Sequence, residues 1–486
     1  MRATIMQRQR FLFAALGLLT LWRWALLPTL ELAPDEALAV FCVKHGEIGS
    51  FREMGPLVPL LAKLGMMIGG STEFGVRFFA PLLALVASLA VWRLMRGLFD
   101  AQIAGWAVVI INVLPAVNLA AVTLTPATVV FTFVPLTAWY LRIALLHAQP
   151  LHWAWWAAAA CVAGTVLAQP PALGVMAAMA LVFALPERLR HHLHGSGFVV
   201  IASAWLLAVI YWLCVQGGIV WPEWRLLPNL LRWVVLASPL LLMFFVLAAR
   251  LAFERATLLS LRSMPPAILL PLAAVDLMYG PRDRWPDMGG AVWMLFAAML
   301  LAHRGAVLGG IASADKISLR TIAIVLAALQ SAFLLQTDLP RTLGLTWRFS
   351  RQTAAASDYT HFFTADPSRS MRGWKESAKL VAAVQQQTHG DESWFVLAND
   401  WPLAVELDHY LGQTEPVKSL ADDLSLFAGR SAIFVTDDPA AVAPPDSIKS
   451  HFERCEVLSV ARVMHAGNEV RWLKIFACHD YRAPDL

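Results

Sequence analysis

Charge is what this sequence has least of. Asp, Glu, Lys and Arg make up 15% of its 486 residues, whereas a soluble domain carries about a quarter. With 58% apolar residues and a mean hydropathy of +0.59, a soluble enzyme on a single anchor is excluded. The chain is predicted to cross a membrane many times. The net charge of +4 is too small to suggest a nucleic-acid partner, and the basic residues are better explained by topology. Cysteine is also scarce, at five, with no CxxC pair. Cys42, Cys161 and Cys214 lie near apolar segments and read as small packing residues. The N-terminus, MRATIMQRQR before an apolar run, is not followed by a small-x-small cleavage site, so it reads as an uncleaved first helix.

What the chain does have is apolar length. Spans are expected at 11–27, 78–98, 104–122, 127–146, 153–167, 172–185, 198–214, 231–253, 267–279, 288–302 and 322–335, about eleven in all, the two around Gln169–Pro170–Pro171 being short. Twenty Trp suit belts at the membrane interface. With the N-terminus inside, Arg2, Arg8, Arg10, Arg93, Arg96, Arg142, Arg188 and Arg190 all fall on the inner side. The short outer loops keep only Arg225, Arg232, Arg282 and Arg284. That bias fixes the orientation, and an odd span count then puts the chain after about Leu339 outside.

The tail is a different material. Residues 340–486 hold no run that could cross a bilayer. A helix is expected over 374–387, a strand over 394–398, a helix over 403–411 and a buried strand over 431–436. Residues 457–464 and 470–476 are expected to form a hairpin. This is a small α/β domain large enough for its own core. Cys455 and Cys478 flank the hairpin, which leaves open a disulfide or two free thiols. The domain boundaries are therefore 1–339, with a long first outer loop at 28–77, and 340–486.

Candidate chemistry begins in that loop. Asp35–Glu36 lies at the outer end of the first span, where ionisable groups are costly and usually functional. A carboxylate there could act as general base on an acceptor hydroxyl or amine, or bind a metal. Pro34 and the two acids also suit a helix start. Glu53, before Met54–Gly55–Pro56, reads as a loop acid or as a second polar group facing Asp35. Arg282, Asp283, Arg284 and Trp285–Pro286 form a late outer loop whose guanidinium forks suit phosphate. The inner stretch RLRHHLH at 188–194 reads as a positive flank near anionic lipid. Asp437–Asp438 follows a strand and reads as a turn. No metal ligand set is assigned.

Several stretches together resemble a known family. APDEAL after the first span, GSFREMGPLVPLLAKLG, STEFGVRFFAPLLALVASLAVWRLMRGLFD, TLTPATVVFTFVPLTAWYL, RWPDMGGAVWMLFAAMLLA and ADPSRSMRGWKESAKLVAAV resemble, in that order, bacterial GT-C-fold glycosyltransferases. These are the membrane enzymes of the protein mannosyltransferase and lipid A aminoarabinose transferase superfamily. The resemblance implies a polytopic α-helical membrane protein, GT-C-like, with an extracytoplasmic α/β domain. It implies transfer of a sugar from a polyprenyl-phosphate donor to a lipid, glycan or protein acceptor on the periplasmic face of the bacterial inner membrane. Asp35 would be the catalytic acid, with Glu36 beside it. Arg52, Glu53, Arg282, Arg284 and Trp285 would bind substrate. No cofactor is certain, and a divalent metal is compatible with the site. No nucleotide-binding loop is needed, and none is seen.

The chain departs from the family's pattern at three polar positions. An acid after Thr-Pro is replaced by Ala127. A lysine or similar group between the fifth and sixth spans is replaced by Gln169. In the first loop, His or Lys is replaced by Met54 and a proline by Gly55. A lost carboxylate or lysine at a reaction centre costs several kcal/mol of transition-state stabilisation. One alternative is therefore a catalytically silent homologue that binds a lipid-linked glycan or partners an active transferase. Another is a lipid or glycan transporter, which would show matching broken helices in two halves; Pro170–Pro171 has no clear counterpart.

Overall fold

The structure, a computed structural model, describes residues 2–46, 54–147, 149, 151–168, 195–216, 319–335, 371–388, 394–413, 415–420, 422–438, 443–465 and 468–482. The expected spans at 172–185, 231–253, 267–279 and 288–302 lie outside them. The chain divides into two compact units. One holds Met1–Leu27 and Ile48–Gln336; the other holds Pro28–Glu47 and Thr337–Leu486. The first loop was expected to belong whole to the N-terminal unit, over 28–77. Its first half instead groups with the C-terminal residues.

The first unit is helical. Its helices are α1 (Arg2–Leu26), α3 (Leu57–Gly69), α4 (Glu73–Arg77), α5 (Phe79–Leu98), α6 (Ala101–Val113), α7 (Pro115–Ala120), α8 (Pro126–Leu146), α9 (Trp153–Ala168), α10 (Ser196–Gln216) and α11 (Leu319–Leu335); α2 belongs to the other unit. Among the described residues, four stretches are helical, long and apolar enough to cross a bilayer: Gln9–Thr29, Glu73–Leu98, Pro126–Leu146 and Ser196–Cys214. Their outer faces are greasy, with Phe11, Leu18, Leu207 and Val199 exposed, as lipid contact requires.

Local sequence sets the breaks. Asp100 caps α6, its carboxylate accepting from the amides of Gln102 and Ile103 at 2.8 Å each, which satisfies two of the helix's orphan donors. The expected span over 104–122 is not one helix. Leu114 is extended and Pro115 opens α7, because a proline has no amide to donate and forces the residue before it out of the helical region. Thr125 and Thr128 cap α8, with Pro126 at its first position.

Polar groups inside this unit are collected. Arg23 of α1 is buried and donates to Asn112 Oδ1 at 3.1 Å and Asn118 Oδ1 at 2.7 Å. Asn112 in turn donates to Ser88 Oγ at 2.9 Å. Arg77 is fully buried and donates to the Leu27 carbonyl at 3.3 Å. In an apolar surround, an amide without such partners would cost several kcal/mol, of order 2–7, and a charged guanidinium far more.

The second unit is α/β. It contains α2 (Pro34–His45), α12 (Trp374–Thr388), α13 (Trp401–Leu411), α14 (Asp446–Lys449) and strands β1 (Trp394–Ala398), β2 (Lys418–Ser419), β3 (Ser431–Thr436), β4 (Phe452–His465) and β5 (Asn468–Tyr481). The sheet order is β2-β1-β3-β5-β4. β1 runs parallel to β2 and β3, while β5 runs antiparallel to β3 and β4. β1 and β3 are buried along their whole length, as strands covered on both faces must be. Alternation sorts their side chains into two cores. Val396, Ile433, Val435 and Ile475 pack with Trp374, Val381, Leu403 and Leu407 on the α12–α13 side. Phe395, Leu397, Phe434 and Phe476 pack with Phe427, Phe452 and Tyr481 on the other. Full burial of each such side chain stabilises by about 1.5–3 kcal/mol.

The hairpin of β4 and β5 is longer than 457–476. Cys455 and Cys478 face each other in register and form a disulfide. α13 begins two residues earlier than the expected 403, because Asp400 caps it by accepting from the Leu403 amide at 3.0 Å. Asp437 and Asp438 simply leave β3, where Thr436 Oγ1 accepts from the Asp438 amide at 3.2 Å.

Candidate active site

The expected catalytic pair sits at the start of α2. Ala33 is extended (φ −85°, ψ 155°) and Pro34 occupies the first helical position. The Ala33 carbonyl accepts from the amides of Glu36 and Ala37. Glu36 is fully buried, and its Oε2 accepts from the Ala33 amide at 2.9 Å. That is half of a capping box, since alanine has no side-chain acceptor to complete the other half. Glu36 is therefore occupied in starting the helix. Asp35, its neighbour, is only half-buried and sits in the first turn, where the helix dipole favours a carboxylate. The two acids differ in environment, a difference that their adjacency in sequence hides.

Arg52, Glu53, Arg282, Arg284 and Trp285 lie outside the described residues, as does Gln169. The other two departures are described. Met54 and Ala127 are both buried. Gly55 donates its amide to the Ala168 carbonyl at 3.1 Å, and any Cβ at Gly55 would collide with the Leu167 carbonyl oxygen. A proline, with no amide and with a ring, cannot stand there. The exchange of proline for glycine is thus a packing feature of α9 against the loop.

Residues 28–47 are fastened to the C-terminal part of their own unit by groups that sequence reading passed over. The Leu32 amide donates to the Tyr410 hydroxyl at 2.9 Å. Lys44 Nζ is 2.9 Å from Asp408 Oδ2, and His45 Nε2 is 3.3 Å from Asp408 Oδ1. Asp408, 1% exposed, also accepts from the Val417 amide at 3.2 Å. Lys44 reaches the Gln413 carbonyl at 2.8 Å as well. No spacing rule could have joined residues so far apart.

A further group gathers at the other end of the segment. Glu31 is 7% exposed and accepts from the Trp374 amide at 2.6 Å. Gly373 is left-handed (φ 74°), a conformation that costs glycine little, and it leads the chain into α12. Burial pushes the Glu31 carboxyl above its ordinary value, and the negative charge of Glu376 adds to the push. The Trp374 and Lys375 amides and His465 pull the other way. His465 Nδ1 lies 3.3 Å from Glu376 Oε1. Arg471 stacks over Trp374, with Cζ 3.2 Å from the ring centroid, and donates to the Arg372 carbonyl at 2.8 Å.

Over residues 53–214 the chain matches the model of the dolichyl-phosphate-mannose-protein mannosyltransferase family. The fold is similar to that of ArnT from Cupriavidus metallidurans bound to undecaprenyl phosphate: TM-score 0.56, 16% identity, covering 96% of this chain and 97% of that one. The apo state of the same protein gives a TM-score of 0.54 at 16% identity, covering 97% and 98%. The chain has the GT-C glycosyltransferase fold. No curated protein sequence matches it significantly. A GT-C chain of this kind is a polytopic helical membrane protein, and the likeness spans both units from end to end. At such low identity the fold carries over, while residue roles rest on the geometry given above.

Proposed function

We propose that this GT-C protein transfers a sugar from a polyprenyl-phosphate donor to a lipid, glycan or protein acceptor at the periplasmic face of a bacterial inner membrane. The observation that carries the reading is the end-to-end likeness to a protein captured with undecaprenyl phosphate, joined to a half-buried carboxylate at the start of α2. Asp35 is assigned as the catalytic acid or base. Glu36 serves as its positioning neighbour, since its carboxylate is engaged by the Ala33 amide. Proton transfer by a positioned side chain contributes typically 10²–10⁴-fold. Arg52, Glu53, Arg282, Arg284 and Trp285 are assigned to the donor phosphate and the acceptor. Residues 340–486 are assigned to the periplasm, which the Cys455–Cys478 disulfide supports, because such bonds persist in oxidising compartments.

The test is transfer from polyprenyl-phosphate sugars in membranes. Asp35→Asn is expected to lower turnover about 10²-fold or more. Unchanged transfer by Asp35→Asn would remove that residue from the chemistry.

A second reading has its own support. Met54 and Ala127 are buried apolar residues at positions where the resembling family carries polar groups. A silent homologue that keeps the lipid ligand and has lost turnover fits that pattern. Saturable binding of polyprenyl phosphate by wild-type protein, without transfer from any donor, would select it.

A further inference from the structure

Three side chains from distant parts of the sequence meet in the second unit. Glu31 precedes α2, Glu376 is in the first turn of α12, and His465 ends β4. One ligand atom from each lies within 4.8 Å of the other two. Glu31 is almost fully buried. Glu376 Oε1 faces His465 Nδ1 at 3.3 Å, whereas Glu376 Oε2 is buried with no hydrogen-bond partner among the described residues.

Two carboxylates held this close repel each other. A buried carboxylate oxygen without a donor leaves its desolvation uncompensated. His465 Nδ1 faces only one oxygen of Glu376. A cation at the centre of the three would serve both carboxylates at once. The donor set is two carboxylate oxygens and one imidazole nitrogen. That set suits first-row divalent ions, zinc in particular, which takes histidine nitrogen at about 2.0–2.1 Å and carboxylate oxygen at about 2.0–2.2 Å. Small side-chain shifts close a 4.8 Å triangle onto such distances.

We propose that Glu31, Glu376 and His465 bind one divalent transition-metal ion of the zinc class. The ion ties the stretch before α2 to α12 and β4, and so holds the segment that carries Asp35 against its own domain. Binding of the ion needs no sugar donor and stands whether or not the chain transfers a sugar.

The test uses the full chain, purified without a histidine tag, stripped with chelator and titrated with Zn²⁺ by calorimetry, with no sugar donor present. One equivalent is expected to bind and to raise the thermal midpoint. Glu376→Gln and His465→Gln are each expected to weaken binding at least tenfold. Wild-type protein loaded with Co²⁺ gives a second readout that needs no variant to fold. Ligand-field bands without a thiolate charge-transfer band are expected. Absence of saturable binding, affinity unchanged in both variants, or a thiolate band that moves the ion to a cysteine would each overturn the proposal.

Discussion

Residues 32–45 and residues 54–69 belong to one loop of the sequence, yet the first stretch is fastened by polar groups and the second by bare backbone. In the first, Asp408 takes Lys44, His45 and the Val417 amide, and Tyr410 takes the Leu32 amide. In the second, Gly55 lets its backbone approach that of Leu167 and Ala168, and Gly65 of α3 does the same against Gly75. Each method suits its surroundings. Between helices in lipid, apolar burial gives no preference, so small residues and close approach do the holding. In an α/β unit with its own apolar core, such a segment is held as well by charge-assisted hydrogen bonds that fix its register.

The difference can be broken on either side. The largest effect is expected from Asp408→Ala, which strips a buried site of its anion and leaves the Val417 amide unserved. A loss of about 3–5 kcal/mol in the stability of the second unit is expected, read by denaturant titration of the purified protein. Because Asp408 is buried, added salt should change the wild-type value little. Gly55→Ala comes next. Overpacking against a backbone carbonyl is expected to cost about 1–3 kcal/mol, read as a lower thermal midpoint in detergent. The smallest is Tyr410→Phe, which removes one acceptor and should cost about 1 kcal/mol. If Gly55→Ala proved harmless while Tyr410→Phe proved severe, the contrast between backbone packing and polar fastening would fail.

Much of the framework was legible because local rules govern it. The strands at 394–398 and 431–436 are runs of apolar residues bounded by turn formers, and the structure has them at those residues. The starts of α2 and α8 follow their prolines. The failure at 104–122 is also local. Pro115 was in plain view, but a hydropathy window averages over it, and the break appears only when the missing amide is considered. The pairing of Cys455 with Cys478 was left open because it depends on register, and β4 pairs with β5 through two irregularities. The candidate site was legible only in part. Asp35–Glu36 stood out as acids at an apolar boundary. That Glu36 takes part in a helix cap needed the Ala33 geometry. Glu31, Lys44, His45, Asp408 and His465 looked like ordinary polar residues, because side-chain partners such as Lys44 and Asp408, or His465 and Glu376, lie far apart in the sequence and no periodicity connects them.

That distance has a consequence in time. The Leu32 amide meets a hydroxyl 378 residues further on, and Glu31 meets an amide 343 residues further on. A ribosome adding roughly 5–20 residues per second makes the earliest of these partners tens of seconds after the segment itself. Until then neither of these two hydrogen bonds can form. A chain cut short before α12 therefore carries every residue of α2 and lacks both of these fastenings, so the proposed reaction centre is among the last parts of the protein to be completed.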